Sequence, residues 1–243
     1  MDRAAAQQQW YQRYYRKGGA GRNDLRGNPE VLFQVLAMEA ALVRAMRLVH
    51  HQPEIAEVLD VGCGGGADIF QLLRMGYDPL KITAIDIQED RLAAARRLYP
   101  QVHFMVADAT RMDFESDRYD LVFESTMFAT LPADAERVAI AGEMVRVCKP
   151  GGYLLLVDWR TPKLRDPHYK ALTGKELRRL FAVGTVTSLV GVYHGALIPP
   201  VGRFLSKYLS SLYFLVGRLF PFLVGQVAYV LRKCEPRGVA KRE

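Results

Sequence analysis

The chain has 243 residues, 50% of them apolar and 24% charged, ordinary proportions for a globular protein able to bury one sizeable core. They exclude a disordered chain, a collagen and a small disulfide scaffold. Lysine and arginine total 33 against 26 acidic residues, and the resulting +7 is spread along the chain, which reads as a solvated surface rather than a nucleic-acid-binding face.

The N-terminal stretch starts Met1-Asp2-Arg3 without the apolar run of a signal peptide, and no fixed-period repeat follows. Trp10, Tyr11, Tyr14 and Tyr15, ahead of Gly18, Gly19 and Gly21, suit either an aromatic lid on a glycine hinge or an arm that packs on the domain. Asn28-Pro29-Glu30 is an N-cap, a first-turn proline and an acidic first turn, so a helix is expected from there to about His50. From residue 51 short apolar runs alternate with helical stretches. Glu57–Val61, Lys81–Ile87, His103–Ala107, Asp120–Ser125 and Tyr153–Trp159 read as strands, with helices over Ala67–Met75, Glu89–Leu98 and Ala133–Cys148. Such alternation predicts an α/β fold: a doubly wound, mostly parallel sheet with ligands bound beyond the carboxyl ends of its strands.

Leu209 to Val230 is almost wholly apolar and long enough to span a bilayer. Arg218 and Pro221 interrupt it beside Gly217 and Gly225, and a central arginine costs about 3 kcal/mol. The preferred reading is an amphipathic helix over Val201–Phe220, a Pro-Phe break and a strand over Gln226–Arg232. No stable membrane insertion is expected, and only salt-sensitive peripheral contact with anionic lipid. The three cysteines, Cys63, Cys148 and Cys234, lack metal-ligand spacing, so no metal site and a reduced cytoplasmic setting are expected. The organisation expected is a helical arm over 1–50, a domain over 51–235 with a cofactor half at 54–160 and a substrate-covering part at 161–224, and a charged tail over 236–243.

The chemistry concentrates in Val58-Leu59-Asp60-Val61-Gly62-Cys63-Gly64-Gly65-Gly66, a strand running into a glycine turn that admits a ligand close to the backbone. Gly62, Gly64 and Ala67 loosely fit a dinucleotide fingerprint. Asp60 opposes a pyrophosphate and suits a ligand carrying an ammonium group. Asp86 ends the second strand about twenty residues further on, where a carboxylate can accept both ribose hydroxyls. Asp108 ends the third and suits an adenine amino group, with the next amide, that of Ala109, reaching a ring nitrogen. An amine, a ribose and an adenine are thus laid along one sheet edge.

With these residues the sequence resembles the class I S-adenosyl-L-methionine (SAM)-dependent methyltransferases over Val58–Trp159. Asp60, Gly62, Gly64, Asp86 and Asp108 match in order, as do Tyr119-Asp120-Leu121-Val122-Phe123 and the Lys149-Pro150-Gly151-Gly152 turn. Trp10, Tyr14, Gly21-Arg22-Asn23-Asp24 and Ile198-Pro199-Pro200 resemble bacterial small-molecule and surface-glycan methyltransferases. The resemblance implies a seven-stranded sheet whose last strand is antiparallel, with Thr185–Tyr193 and Gln226–Arg232 supplying the final pair. It implies SAM as cofactor, held by Asp60, Gly62, Cys63, Gly64, Asp86, Ile87, Asp108, Ala109 and Glu124. Ser125 and Thr126 should line the methyl-transfer site, with Trp10 and Tyr14 closing over it.

A small-molecule acceptor is expected, methylated on a hydroxyl oxygen, and the apolar character of Thr161–Val224 suits an apolar or amphiphilic one. Candidate bases are His194, His168 and Asp158. Asp166-Pro167-His168-Tyr169 is similar to the Asp-Pro-Pro-Tyr motif of amino-methylating nucleic-acid enzymes, but that motif should follow the fourth strand, so no nucleic-acid partner is expected. An NAD-dependent oxidoreductase and a cofactor-binding module without turnover remain the alternatives.

Overall fold

The structure is a computed structural model and describes residues 28–49, 52–163, 166 and 169–235, with Gln9 and Leu25 besides. Seven strands form one sheet: β1 (Val58–Val61), β2 (Ile82–Asp86), β3 (His103–Val106), β4 (Tyr119–Ser125), β5 (Cys148–Trp159), β6 (Thr187–His194) and β7 (Gln226–Lys233). Their order is β3-β2-β1-β4-β5-β7-β6. The pairings from β3 through β5 are parallel, while β7 runs antiparallel to both β5 and β6, as the resemblance implied. Between β1 and β4 the winding direction reverses, which opens a crevice beyond the strand ends.

Period-two alternation divides the core between the two faces of the sheet. Leu59, Val61, Val122, Leu154, Leu156 and Tyr229 face one side. Val58, Leu121, Phe123, Leu155 and Val230 face the other, where Ala41 and Ala45 of helix α1 (Leu32–Met46) let it pack closely. The other helices are α2 (Ile69–Arg74), α3 (Glu89–Leu98), α4 (Asp134–Val147), α5 (Gly174–Leu180), α6 (Pro199–Tyr208) and α7 (Tyr213–Leu219). Thr173 caps α5, its hydroxyl accepting from the Glu176 N–H at 3.2 Å.

Three expectations are corrected. Helix α1 opens with a 3-10 turn over Pro29–Val31 in which Asn28 makes no side-chain cap bond. It also ends at Met46, because Leu48 and Val49 donate three residues back, to Ala45 and Met46, and tighten the chain out of the α-helix. The single helix expected over 201–220 is two, α6 and α7, joined by a 3-10 turn over Ser210–Leu212. The buried Tyr213 folds the chain back: its hydroxyl accepts from the Leu197 N–H at 3.1 Å. Gly202 leaves it room, since a Cβ there would lie 3.3 Å from that hydroxyl. Arg218 falls in the last turn of α7, as expected. Among the described residues no helix is long and apolar enough to cross a membrane. β6 lies inside the 161–224 stretch, which therefore supplies an edge strand as well as the cap over the cleft.

Arg137 of α4 fastens cap to sheet. Its side chain is fully buried and donates to the carbonyls of Phe128 (3.0 Å), Lys170 (2.6 Å) and Ala171 (3.3 Å), with Glu176 3.8 Å away. Arg160, just past β5, donates to the carbonyls of Val224, at 2.8 Å, and Pro221.

Candidate active site

The crevice holds a cavity of about 320 Å³, within the range of small-molecule sites. Gly62, Cys63, Asp68, Asp86, Ile87, Asp108, Ala109, Ser125 and Thr126 line it from the strand ends, and Gln34, Lys163, Tyr169, Pro199, Arg203 and Gln226 from the helical side and β7.

The glycine turn is a closed hydrogen-bond system. The N–H groups of Gly62 and Cys63 share the Ile85 carbonyl at 2.8 and 3.0 Å, and the Gly66 N–H donates to Cys63 at 2.9 Å. The Gly64 N–H donates to Asp86 Oδ2 at 2.9 Å. A pyrophosphate needs such amides turned toward it, whereas these four are engaged within the protein. Gly64 has φ +56°, and a Cβ there would collide with the Arg91 guanidinium. The left-handed φ favours glycine, whereas the guanidinium, at the end of a flexible side chain, could swing away.

Asp86 is oriented from two sides, because Oδ1 also accepts from the Gln88 N–H at 2.9 Å. A carboxylate accepts about four hydrogen bonds, so capacity remains for two ribose hydroxyls. Arg91 Nη1 stands 3.8 Å from Oδ2. Asp108 Oδ1 accepts from the N–H and hydroxyl of Thr110 at 2.8 and 2.7 Å, which fixes the carboxylate at the β3 end of the cleft.

Behind this wall lie buried acids. Asp60 is 2% exposed, and its Oδ2 has no hydrogen-bond partner among the described residues. Burial, then Asp68 and Asp86, push its pKa well above the carboxylate range. Glu124 is fully buried; Oε2 accepts from the Met127 N–H at 3.1 Å, while Oε1 is without a partner among the described residues. The register sets Glu124 beside Leu156, so Asp158, two residues further along β5, faces the same side. Burial and then Asp158 raise Glu124 far above its ordinary value. Asp158 is itself raised to about 7 by burial, against the bonds it accepts from Trp159 (2.6 Å) and Ala129 (2.9 Å). Asp68, on the wall, is raised by burial and held partly down by a hydrogen bond with Ser125. Orphaned buried carboxyl oxygens beside an oriented Asp86 fit a ligand carrying an ammonium, a sulfonium and a ribose, which is the chemistry of SAM.

Thr126 is a β-branched residue at φ +61°, a strained conformation at the end of β4. Its N–H donates to Val157 at 2.8 Å, and its hydroxyl is 3.5 Å from Gln226 Nε2, which donates.

The structure thus brings Gly62, Cys63, Asp86, Ile87, Asp108, Ala109, Ser125 and Thr126 to one cavity, and sets Asp60, Gly64 and Glu124 behind its wall. Asp158 is enclosed and held by backbone amides rather than exposed to an acceptor. His194 stands exposed on edge strand β6, outside the cavity lining, with its pKa lowered by burial and Arg160. Trp10, Tyr14 and His168 lie outside the described residues. Sequence reasoning missed Asp68, Gln88, Arg91, Arg203 and Gln226. Asp68 carried a signal, an acid directly after the glycine turn; Arg203 carried none, because its approach depends on how Tyr213 folds the cap.

Residues 58–152 match the family model described as a methyltransferase domain. Tocopherol O-methyltransferase of Arabidopsis thaliana is 37% identical over 112 residues, 44% of this chain and 31% of that protein. The 2-methyl-6-phytyl-1,4-hydroquinone methyltransferase of Synechocystis is 30% identical over 140 residues, 55% of this chain and 42% of that protein. The matched stretches therefore span less than half of either relative. The PH0226 protein of Pyrococcus horikoshii shares the fold at TM-score 0.60 and 16% identity, over 92% of this chain and 99% of that one. Over residues 58–152 the chain thus matches a methyltransferase domain, and its seven-stranded fold is the one it shares with the PH0226 protein.

Proposed function

We propose that the protein moves a methyl group from SAM to a hydroxyl oxygen of a small lipophilic acceptor. The observation that carries this reading is Asp86, oriented by the Gly64 and Gln88 amides at the edge of a cleft behind whose wall Asp60 and Glu124 each keep a buried carboxyl oxygen without a hydrogen-bond partner among the described residues. Bound there, SAM supplies a methyl group on a positively charged sulfur. Asp86 accepts the ribose hydroxyls, and the cationic portion favours the charged form of Asp68 on the wall and of Asp60 behind it, against the burial that raises both. Transfer from a sulfonium depends on in-line placement and exclusion of water more than on a protein base. Pro199 of the cap, Trp159 at the end of β5 and Gln226 at the start of β7 line the cavity with Ser125 and Thr126 and would supply both.

The engaged turn amides argue against the dinucleotide alternative. The names of the relatives, one for O-methylation of tocopherol and one for a phytyl-substituted hydroquinone, support an acceptor with a hydroxyl and an apolar tail. The test is release of S-adenosylhomocysteine from labelled SAM in the presence of prenylated phenols and hydroquinones. Acceptor-dependent release is expected; tight S-adenosylhomocysteine binding without turnover across the panel would leave a binding module instead.

A further inference from the structure

The cap leaves a second surface that the cleft does not use. Phe204, Leu219 and Phe222 are 54%, 61% and 71% exposed, and Phe214 and Leu215 stand beside them half in solvent. They belong to α6, α7 and the 3-10 turn over Pro221–Leu223. Monomeric proteins seldom leave so many large apolar side chains together in water without a use. α6 also presents Pro199 and Arg203 to the cleft, so one ten-residue helix forms part of both surfaces.

The charge around this patch is one-sided. The two helices carry Arg203, Lys207 and Arg218, and between residues 199 and 224 the sequence holds no acidic residue. Arg218 is exposed amid the apolar side chains, and Lys207 is shared with Glu30 at 3.1 Å. A second copy of the chain would set Arg218 against its own counterpart, while the Glu30 carboxylate beside α6 is already taken up by Lys207. Residues 1–27 suit the patch no better, since they carry six basic and two acidic side chains. A surface of apolar side chains whose own helices carry cations and no acid is complementary to an anionic lipid bilayer.

We propose that α6, α7 and the Pro221–Leu223 turn form an interfacial docking surface for anionic membranes. The helices lie on the bilayer rather than crossing it: phenylalanine and leucine side chains enter the headgroup boundary, and Arg218 and its neighbours meet lipid phosphates. Docked in this way, the α6 wall of the cleft stands at the lipid boundary, and an acceptor with an apolar tail reaches it without passing through water.

Co-flotation with vesicles tests this without cofactor or acceptor, so its result is independent of the methyl-transfer reading. The protein should bind vesicles of phosphatidylcholine containing phosphatidylserine at least about tenfold better than phosphatidylcholine alone, and lose much of that binding at about 1 M salt, where the Debye length is about 3 Å. The triple substitution F204S/L219S/F222S should lower partitioning at least about tenfold with S-adenosylhomocysteine affinity unchanged. Should that variant melt early, Phe222→Ser alone, at the most exposed of these positions, should still lower it measurably. Absence of binding to anionic vesicles at low salt, or wild-type partitioning by Phe222→Ser, overturns the proposal. So does a wild-type dimer that the substitutions convert to monomer, which gives the surface to a second copy. Binding that appears only after deletion of residues 1–27 overturns it too, by assigning the surface to that segment.

Discussion

Between residues 58 and 159 the chain places acids at the ends of its strands and buries most of the strands' apolar side chains, whereas between 199 and 224 it has no acid and leaves all four of its phenylalanines in solvent. The first region is built for a small, cationic, polar ligand: each acid occupies a position set by sheet register and a glycine turn. The second has few fixed polar groups and offers shape and apolar surface. On the function proposed above, recognition of the cofactor is specified residue by residue, and recognition of the acceptor by packing.

Substitutions that separate the two regions break or sharpen this contrast. The largest effect belongs to Gly64→Val, which puts a β-branched side chain at φ +56° and into Arg91. S-adenosylhomocysteine binding should vanish in a calorimetric titration while far-ultraviolet dichroism keeps its native shape; retained binding would make the turn purely structural. Arg137→Met comes next, since it leaves three carbonyls and Glu176 without their cation. A loss of about 3–5 kcal/mol is expected, seen as a melting temperature lower by roughly 6–20 °C. A fall below about 2 °C would mean that the cap is held elsewhere. Asp86→Ala should weaken cofactor binding by about 1.5–3 kcal/mol, tenfold or more, with the fold intact because the residue ends a strand.

The smallest effect concerns pH. Asp158 titrates near 7 in the folded protein and in the ordinary carboxylate range when unfolded, so the folded state holds a proton that the unfolded chain releases between those values. The stability it contributes is complete at low pH and is lost as pH rises through about 7; Asp60 and Glu124, also raised, act in the same sense. The contribution of these groups should therefore lower the melting temperature from pH 5 to pH 8. Glu124→Gln takes a buried titrating carboxyl out of this balance, and should flatten that slope and raise melting at pH 8 by about 2–4 °C per kcal/mol relieved. An unchanged slope would show that this pair is not its source.

Much of the first region was legible in the sequence because its constraints are local. Glu89–Leu98 is a helix with the expected limits, and Asp86 and Asp108 reach the cavity because alternation fixes where each strand ends. The second region was less legible, since its placement depends on long-range pairing. β7, last in the chain, inserts between β5 and β6, and so leaves His194, just past the strand expected over Thr185–Tyr193, on the outer strand. The break between α6 and α7 follows from the Tyr213 hydroxyl reaching Leu197, a contact that apolar periodicity does not encode. Asp158 ends a strand as well, but the turn after β4 closes over it with the Ala129 amide.

Calorimetric titration of the wild-type protein with S-adenosylhomocysteine and, separately, with NAD tests most directly whether this cleft is a SAM site. The result expected is saturable one-to-one binding of S-adenosylhomocysteine and none of NAD. Binding of NAD with no heat from S-adenosylhomocysteine would contradict it, because the turn amides would then have to leave Ile85 and Asp86 to receive a pyrophosphate.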